Sequence, residues 1–177
     1  VRAENGNPGN FEYFYGEVDD IIAAGNYLKS QTYVDSDKIF LAGHSVGGTL
    51  SMLTSMLQSP YKAIASFGGS PEQEDYFTYR KERIPFDYSN EKEIKLRSPI
   101  DNIESMQKPL YIYVGKSDYE YLWHSNKIVK ASKKLGKKCE LIKMDGDHFT
   151  SLPLSIKDSI EKFKIYIEKE KELSAKK

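Results

Sequence analysis

The sequence is poor in sulfur and in imidazole. One cysteine, Cys139, stands among 177 residues, so no disulfide can close within the chain. Cys139 falls in an apolar stretch that reads as a strand, where a thiol serves as a small packing group. Three histidines, His44, His124 and His148, leave few candidates for a base or a metal ligand. A surplus of charge is also missing. The 26 basic and 26 acidic residues cancel, which removes the electrostatic case for nucleic acid or an anionic membrane as partner. No apolar run approaches the ~18 residues of a membrane span. No signal-peptide pattern opens the chain, and a cytoplasmic protein is the expectation. The chain begins at Val1 rather than methionine.

Against these absences stands one dense stretch, Gly43-His44-Ser45-Val46-Gly47-Gly48. The apolar run Ile39 to Ala42 precedes it, and a helical pattern from Thr49 to Gln58 follows. Strand, sharp turn and helix with serine at the turn is the context of a nucleophile elbow, whose strained backbone lifts the hydroxyl clear of the sheet. Gly43 and Gly47 lie two positions either side, where side chains are expected to collide. A glycine-rich turn of this kind can also cradle phosphate, and Gly43 and Gly48 have the spacing for it. Thr49, however, stands where a phosphate loop needs lysine.

The rest of the chain alternates. Val18, Ile21, Ile22 and Leu28 repeat at helical spacing, in a helix ending near Ser30. Lys38 to Ala42 reads as a strand covered on both faces, because it is apolar without alternation. Leu50, Leu53 and Leu57 mark the next helix, and Ala63 to Phe67 a short strand. Leu110 to Val114 and Cys139 to Met144 are further strands, separated by a helix that stops near Gly136. Ile156, Ile160, Phe163 and Ile167 outline a last amphipathic helix, with a solvated Lys- and Glu-rich end. Four strand–helix alternations predict an α/β fold, a parallel sheet with helices on both faces. Residues 1–177 read as one domain. Residues 70–107, rich in charge and tyrosine and broken by Pro71, Pro85 and Pro99, read as a lid-like insertion.

In such sheets the chemistry sits at the carboxyl ends of the strands. Ser45, Asp118 and His148 each follow a strand directly. A serine hydroxyl needs a base, a neutral imidazole can be one near pH 7, and a carboxylate can hold that ring in the right tautomer. The order serine, aspartate, histidine is that of an α/β-hydrolase triad, and one helix plus one strand separates the acid from the base. Glu120, Asp145 and Asp147 compete with Asp118. The last two stand too close to His148 in sequence to reach its ring easily from behind. His44 is expected to turn away from the hydroxyl, and His124, inside a helix, to have a surface or packing role. The Val46 N–H, at the start of the helix, is the candidate oxyanion donor.

These motifs resemble the catalytic domain of prolyl oligopeptidase-like α/β-hydrolases. Arg2-Ala3-Glu4-Asn5-Gly6-Asn7-Pro8-Gly9 is similar to the loop after the family's fourth strand, and Glu17 to Asp20 with Tyr27-Leu28 to the helix before the nucleophile strand. Gly43 to Gly48 resembles the elbow, Arg97-Ser98-Pro99 the approach to the acid strand, Gly115 to Asp118 the acid turn, and Gly146 to Phe149 the histidine turn. The resemblance implies a serine hydrolase that cleaves peptide or ester bonds without metal or cofactor. It departs at the front, where the family has about four more strands. They carry a second oxyanion donor, which has no counterpart here. Without them the nucleophile strand would lie at or near an open edge, a candidate surface for a homo-oligomer. The competing expectation is a non-catalytic interaction module.

Overall fold

In a computed structural model the described residues are 2–3 and 6–175. Val1, Glu4, Asn5, Lys176 and Lys177 lie outside them, including two positions of the Arg2-to-Gly9 motif.

Four strands form one parallel sheet: β1 (Leu41–His44), β2 (Ile64–Phe67), β3 (Leu110–Gly115) and β4 (Cys139–Met144), side by side in that order. Alternation sorts β2 and β3 onto two faces. Ile64, Leu110, Ile112 and Val114 join the main core, with Met52 of helix α2 (Val46–Ser55) and Ile128 of a later helix, Tyr119–Lys134. Ala65, Phe67 and Tyr113 face the other way, onto Leu152 and Phe163 of the C-terminal helix, Leu152–Ser174. The sheet is therefore covered on both faces, as the alternation predicted.

A third apolar cluster supports the region between β2 and β3. Helix α1 (Gly16–Ser30) supplies Val18, α2 supplies Leu50 and Leu53, and Phe14 precedes α1. Onto these pack Phe77 of the short helix α3 (Glu74–Thr78) and Ile94 of α4 (Glu91–Arg97). A 3₁₀ segment, Pro99–Ser105, leads back to β3. Arg97 is buried here. Its guanidinium pairs with Glu93 at 2.6 Å, donates to the Glu12 carbonyl, and lies 4.0 Å from the centre of the Phe86 ring. A charge this deep is tolerated because it is paired and hydrogen-bonded. The remaining helices are α5 (Tyr119–Lys134) and α6 (Leu152–Ser174).

Three sequence expectations shift. The nucleophile strand runs from Leu41 to His44 rather than Lys38 to Ala42, and the helix after it from Val46 to Ser55 rather than Thr49 to Gln58. Paired backbone continues right up to the serine, and the helix begins with the residue after it, so the turn is tighter than apolar periodicity alone suggests. Among the described residues β1 pairs on one side only, as the resemblance led one to expect, but its Ala42 is exposed, so the strand is not covered on both faces. Finally, α6 turns Ser155 and Ser159 inward and leaves Ile156 and Ile160 nearly half exposed. Two small residues let the helix approach the sheet closely, and the predicted stripe rotates outward.

Candidate active site

The backbone of Ser45 has φ +56° and ψ −115°, outside the regions that L residues populate freely. Neighbours on both sides fix it. Its N–H donates to the Phe67 carbonyl at 2.9 Å, and its carbonyl accepts from Thr49 N at 3.1 Å. Strain of this kind persists only where the surroundings over-determine it. The glycines explain how the turn closes, and they correct one expectation. A Cβ on Gly43 would sit 2.2 Å from the Gly47 carbonyl oxygen, and one on Gly48 2.8 Å from Gly69 N. A Cβ on Gly47 would meet nothing within 4 Å. The tight positions are Gly43, which lies against the Gly47 carbonyl and Ser51 of α2, and Gly48, which lies against the Gly68-Gly69 turn after β2.

Asp118 ends the turn after β3 and precedes α5; His148 sits in the turn after β4. The two turns are laced together. Lys116 N donates to Met144 O at 2.8 Å and Ser117 N to Gly146 O at 3.0 Å. Gly115 has no room for a side chain, since a Cβ would lie 2.6 Å from the carbonyl oxygens of Gly146 and Asp147. This brings Asp118 Oδ2 to 3.0 Å from His148 Nδ1. The carboxylate accepts, so Nδ1 carries the proton and Nε2 is the free ring nitrogen. Gly68, at φ +57°, leaves space for the ring, because a Cβ there would be 2.9 Å from His148 Nδ1 and Cε1. The Ser45 hydroxyl makes no hydrogen bond to His148 or any other described residue.

Two of the competing acids are engaged elsewhere. Asp145 pairs with Lys116 at 2.6 Å. Asp147 accepts from the Thr150 N–H and hydroxyl and then from the Phe149 N–H, which holds its carboxyl below the usual range. Glu120 is exposed on the first turn of α5.

His44 reaches the loop that carries His148. Its Nε2 lies 2.8 Å from the His148 carbonyl oxygen and its ring centre 4.8 Å from that of His148. His124 is buried, as a packing role requires, but its Nδ1 is 2.6 Å from Glu72 Oε2. Both partners come from distant segments, and neither pairing leaves a spacing signal in the sequence.

Ser45 and Val46 line a cleft of about 340 Å³ with Glu72, Tyr76, Tyr121 and His124 among its other walls. Burial, and then the nearby charge of Asp118, pushes the Tyr121 phenol up from its usual range. Val46 is the first residue of α2, where a backbone N–H has no partner within the helix. No group of three or more metal-ligating side chains clusters among the described residues. No described helix is long and apolar enough to cross a membrane.

The model of the prolyl oligopeptidase family matches residues 6–172. The chain belongs to this family of serine hydrolases. It is 25% identical over 155 residues to an uncharacterized peptidase of Bacillus subtilis, YtmA, covering 78% of this chain and 58% of that one. Its fold is similar to that of Pyrococcus horikoshii acylaminoacyl peptidase, with a TM-score of 0.67 and 20% identity over 88% of this chain and 27% of the other. Porphyromonas gingivalis dipeptidyl peptidase 4 superposes with a TM-score of 0.71 and 22% identity over 89% and 23%. This member of the prolyl oligopeptidase family thus spans somewhat over half of its curated relative and about a quarter of those larger peptidases.

Proposed function

We propose that this chain hydrolyses acyl bonds, peptide or ester, with Ser45 as nucleophile, His148 as general base and Asp118 as the group that orients it. The observation that carries the reading is the 3.0 Å Asp118–His148 pair at the same sheet end as a serine with φ +56°. The Ser45 oxygen attacks the substrate carbonyl carbon while its proton passes to His148 Nε2. The resulting oxyanion receives the Val46 N–H. Collapse breaks the acyl bond, and the leaving group takes the proton from His148. Water then attacks the acyl-serine, giving its proton to His148, and Ser45 is restored. No step needs a cofactor. Residues 70–107 form a wall over the cleft and serve as its lid, within a single catalytic domain.

Labelling with a fluorophosphonate, followed by peptide mapping, tests this. Modification at Ser45, together with p-nitrophenyl acetate hydrolysis that disappears in Ser45→Ala, is the expected result. A folded protein left unlabelled at Ser45, or turnover undiminished in Ser45→Ala, would overturn it.

A second reading, self-association without catalysis, is favoured by the open side of β1 and by Ile156 and Ile160. These isoleucines lie on the helix whose Phe163 stacks on Phe40, with ring centres 4.4 Å apart. An unpaired strand edge invites another strand, and a second copy of the chain is the occupant this reading names. Light scattering that finds a monomer across the micromolar range would discard it. A dimer that dissociates in Ile156→Glu would support it.

A further inference from the structure

The cleft beside Ser45 carries a polar device that the acyl-transfer steps do not use. His124, only 8% exposed, lines this cleft. Lys127 Nζ can only donate, and it donates to both oxygens of Glu72, at 2.9 and 3.0 Å. Glu72 therefore acts as acceptor toward its neighbours, and His124 Nδ1, 2.6 Å away, must be a donor to it. That fixes the tautomer. In the neutral ring Nε2 keeps a lone pair, and it has no hydrogen-bond partner among the described residues. A nine-tenths buried imidazole thus presents, in its neutral form, an unpaired acceptor in the wall of the cavity that holds Ser45.

The other charges of the cleft agree in sign with an acceptor. Asp75 and Glu120 line it, are exposed, and pair with no cation among the described residues. Arg80 is the only cation among the described lining residues, and it is already engaged. Its guanidinium carbon lies 3.8 Å above the Tyr76 ring centre, and it donates to the Tyr76 carbonyl at 3.1 Å. The cleft therefore already holds one guanidinium on an aromatic face, and its unpaired charged groups are the carboxylates of Asp75 and Glu120.

We propose that this cleft is a subsite for a cationic N–H donor on the substrate, an ammonium or guanidinium. His124 Nε2 and the carboxylates of Asp75 and Glu120 are its acceptors. The inference deepens the reading of Ser45 as nucleophile, on which it rests, by naming the class of substrate. Lysine and norleucine side chains have similar length and differ in the charged head, so they isolate its recognition.

Two measurements keep the ideas apart. In the first, kcat/KM is compared for the p-nitrophenyl esters of Nα-benzyloxycarbonyl-lysine and -norleucine. A charged hydrogen bond predicts a lysine preference of about tenfold or more. The preference should shrink toward one in Asp75→Asn/Glu120→Gln, whose exposed sites put the fold at no risk, and in His124→Phe. In the second, Ser45→Ala protein is titrated calorimetrically with the methyl esters of Nα-acetyl-lysine and Nα-acetyl-norleucine, so that binding is read without turnover. Tighter binding of the lysine ester supports the subsite even if Ser45 proves not to be the nucleophile. Ser45-dependent hydrolysis with equal rates on both esters overturns the subsite and leaves the nucleophile standing. A lysine preference that survives both sets of substitutions overturns it as well.

Discussion

His44 and His148 are joined by a hydrogen bond from the ring of one to the backbone of the other. The carbonyl oxygen of His148 can only accept, so His44 Nε2 carries the proton that bridges their 2.8 Å. The residue before the nucleophile thereby ties the β1 end to the loop that holds the proposed base. Asp118 fixes the His148 ring from the side chain, and His44 fixes its backbone.

This makes His44 a positioning residue, and its removal should act on turnover rather than on binding. A displacement of about 1 Å at a reacting group can cost ~10²-fold. We therefore expect His44→Phe to lower kcat on p-nitrophenyl acetate by roughly 10–100-fold, with KM nearly unchanged. His44→Gln, which keeps an N–H donor, should recover much of the loss. Equal losses in the two variants, or a KM effect alone, would count against the positioning role.

The glycines of the elbow make a sharper test, because sequence symmetry and structure disagree about them. Gly43 and Gly47 stand symmetrically about Ser45, yet of the two only Gly43 is crowded, while Gly48 is crowded by a different neighbour, the Gly69 backbone. Gly47→Ala should leave thermal stability unchanged or raise it by up to about 1 kcal/mol, since glycine in a helix interior costs about that much relative to alanine. Gly48→Ala forces a methyl against the Gly69 backbone and should destabilise by about 1–3 kcal/mol. Denaturant melts of both variants decide the order.

What could be read in advance follows the range of the interaction. The four strands and the adjacency of the Asp118 and His148 loops were legible, because apolar runs and chain order encode them. The glycine pair was half legible, since a motif gives spacing but not the position of the turn after β2. The His44 and Glu72 pairings were not legible at all. Each joins side chains or backbone more than fifty positions apart, and nothing local marks either partner. The α6 stripe misled for a different reason. Ile156 and Ile160 are the larger apolar residues, but the helix buries Ser155 and Ser159, as close approach to the sheet favours small side chains.

Cys139 shows the same limit in its degree of burial. It is partly buried at the start of β4 against the main core, and burial pushes its thiol up to about 12. At pH 8 only about one thiol in ten thousand would be the reactive thiolate. Ellman's reagent should react with Cys139 slowly in the native protein and rapidly in 6 M guanidinium. A fast native reaction would show that β4 opens at its first residue.

Arg2 is held against α1 by Asp20 and Gly16, and that attachment should be sensitive to acid. Arg2 donates to both carboxylate oxygens of Asp20, at 2.8 and 3.0 Å, and to the Gly16 carbonyl at 2.8 Å. Gly16 leaves the space, as a Cβ there would be 2.2 Å from the guanidinium. The Arg2 side chain and backbone hold the Asp20 carboxyl down from 3.8 to about 2. The folded value lies below the unfolded one, so the contribution to stability is complete above about pH 4 and is lost as pH falls toward 2. Asp20→Asn removes the titrating group. Its stability should fall below that of the parent at pH 6, and the gap should narrow steadily between pH 4 and pH 2. Urea melts across that range measure it, and a gap that stays constant would mean that the Arg2–Asp20 pair contributes nothing in solution.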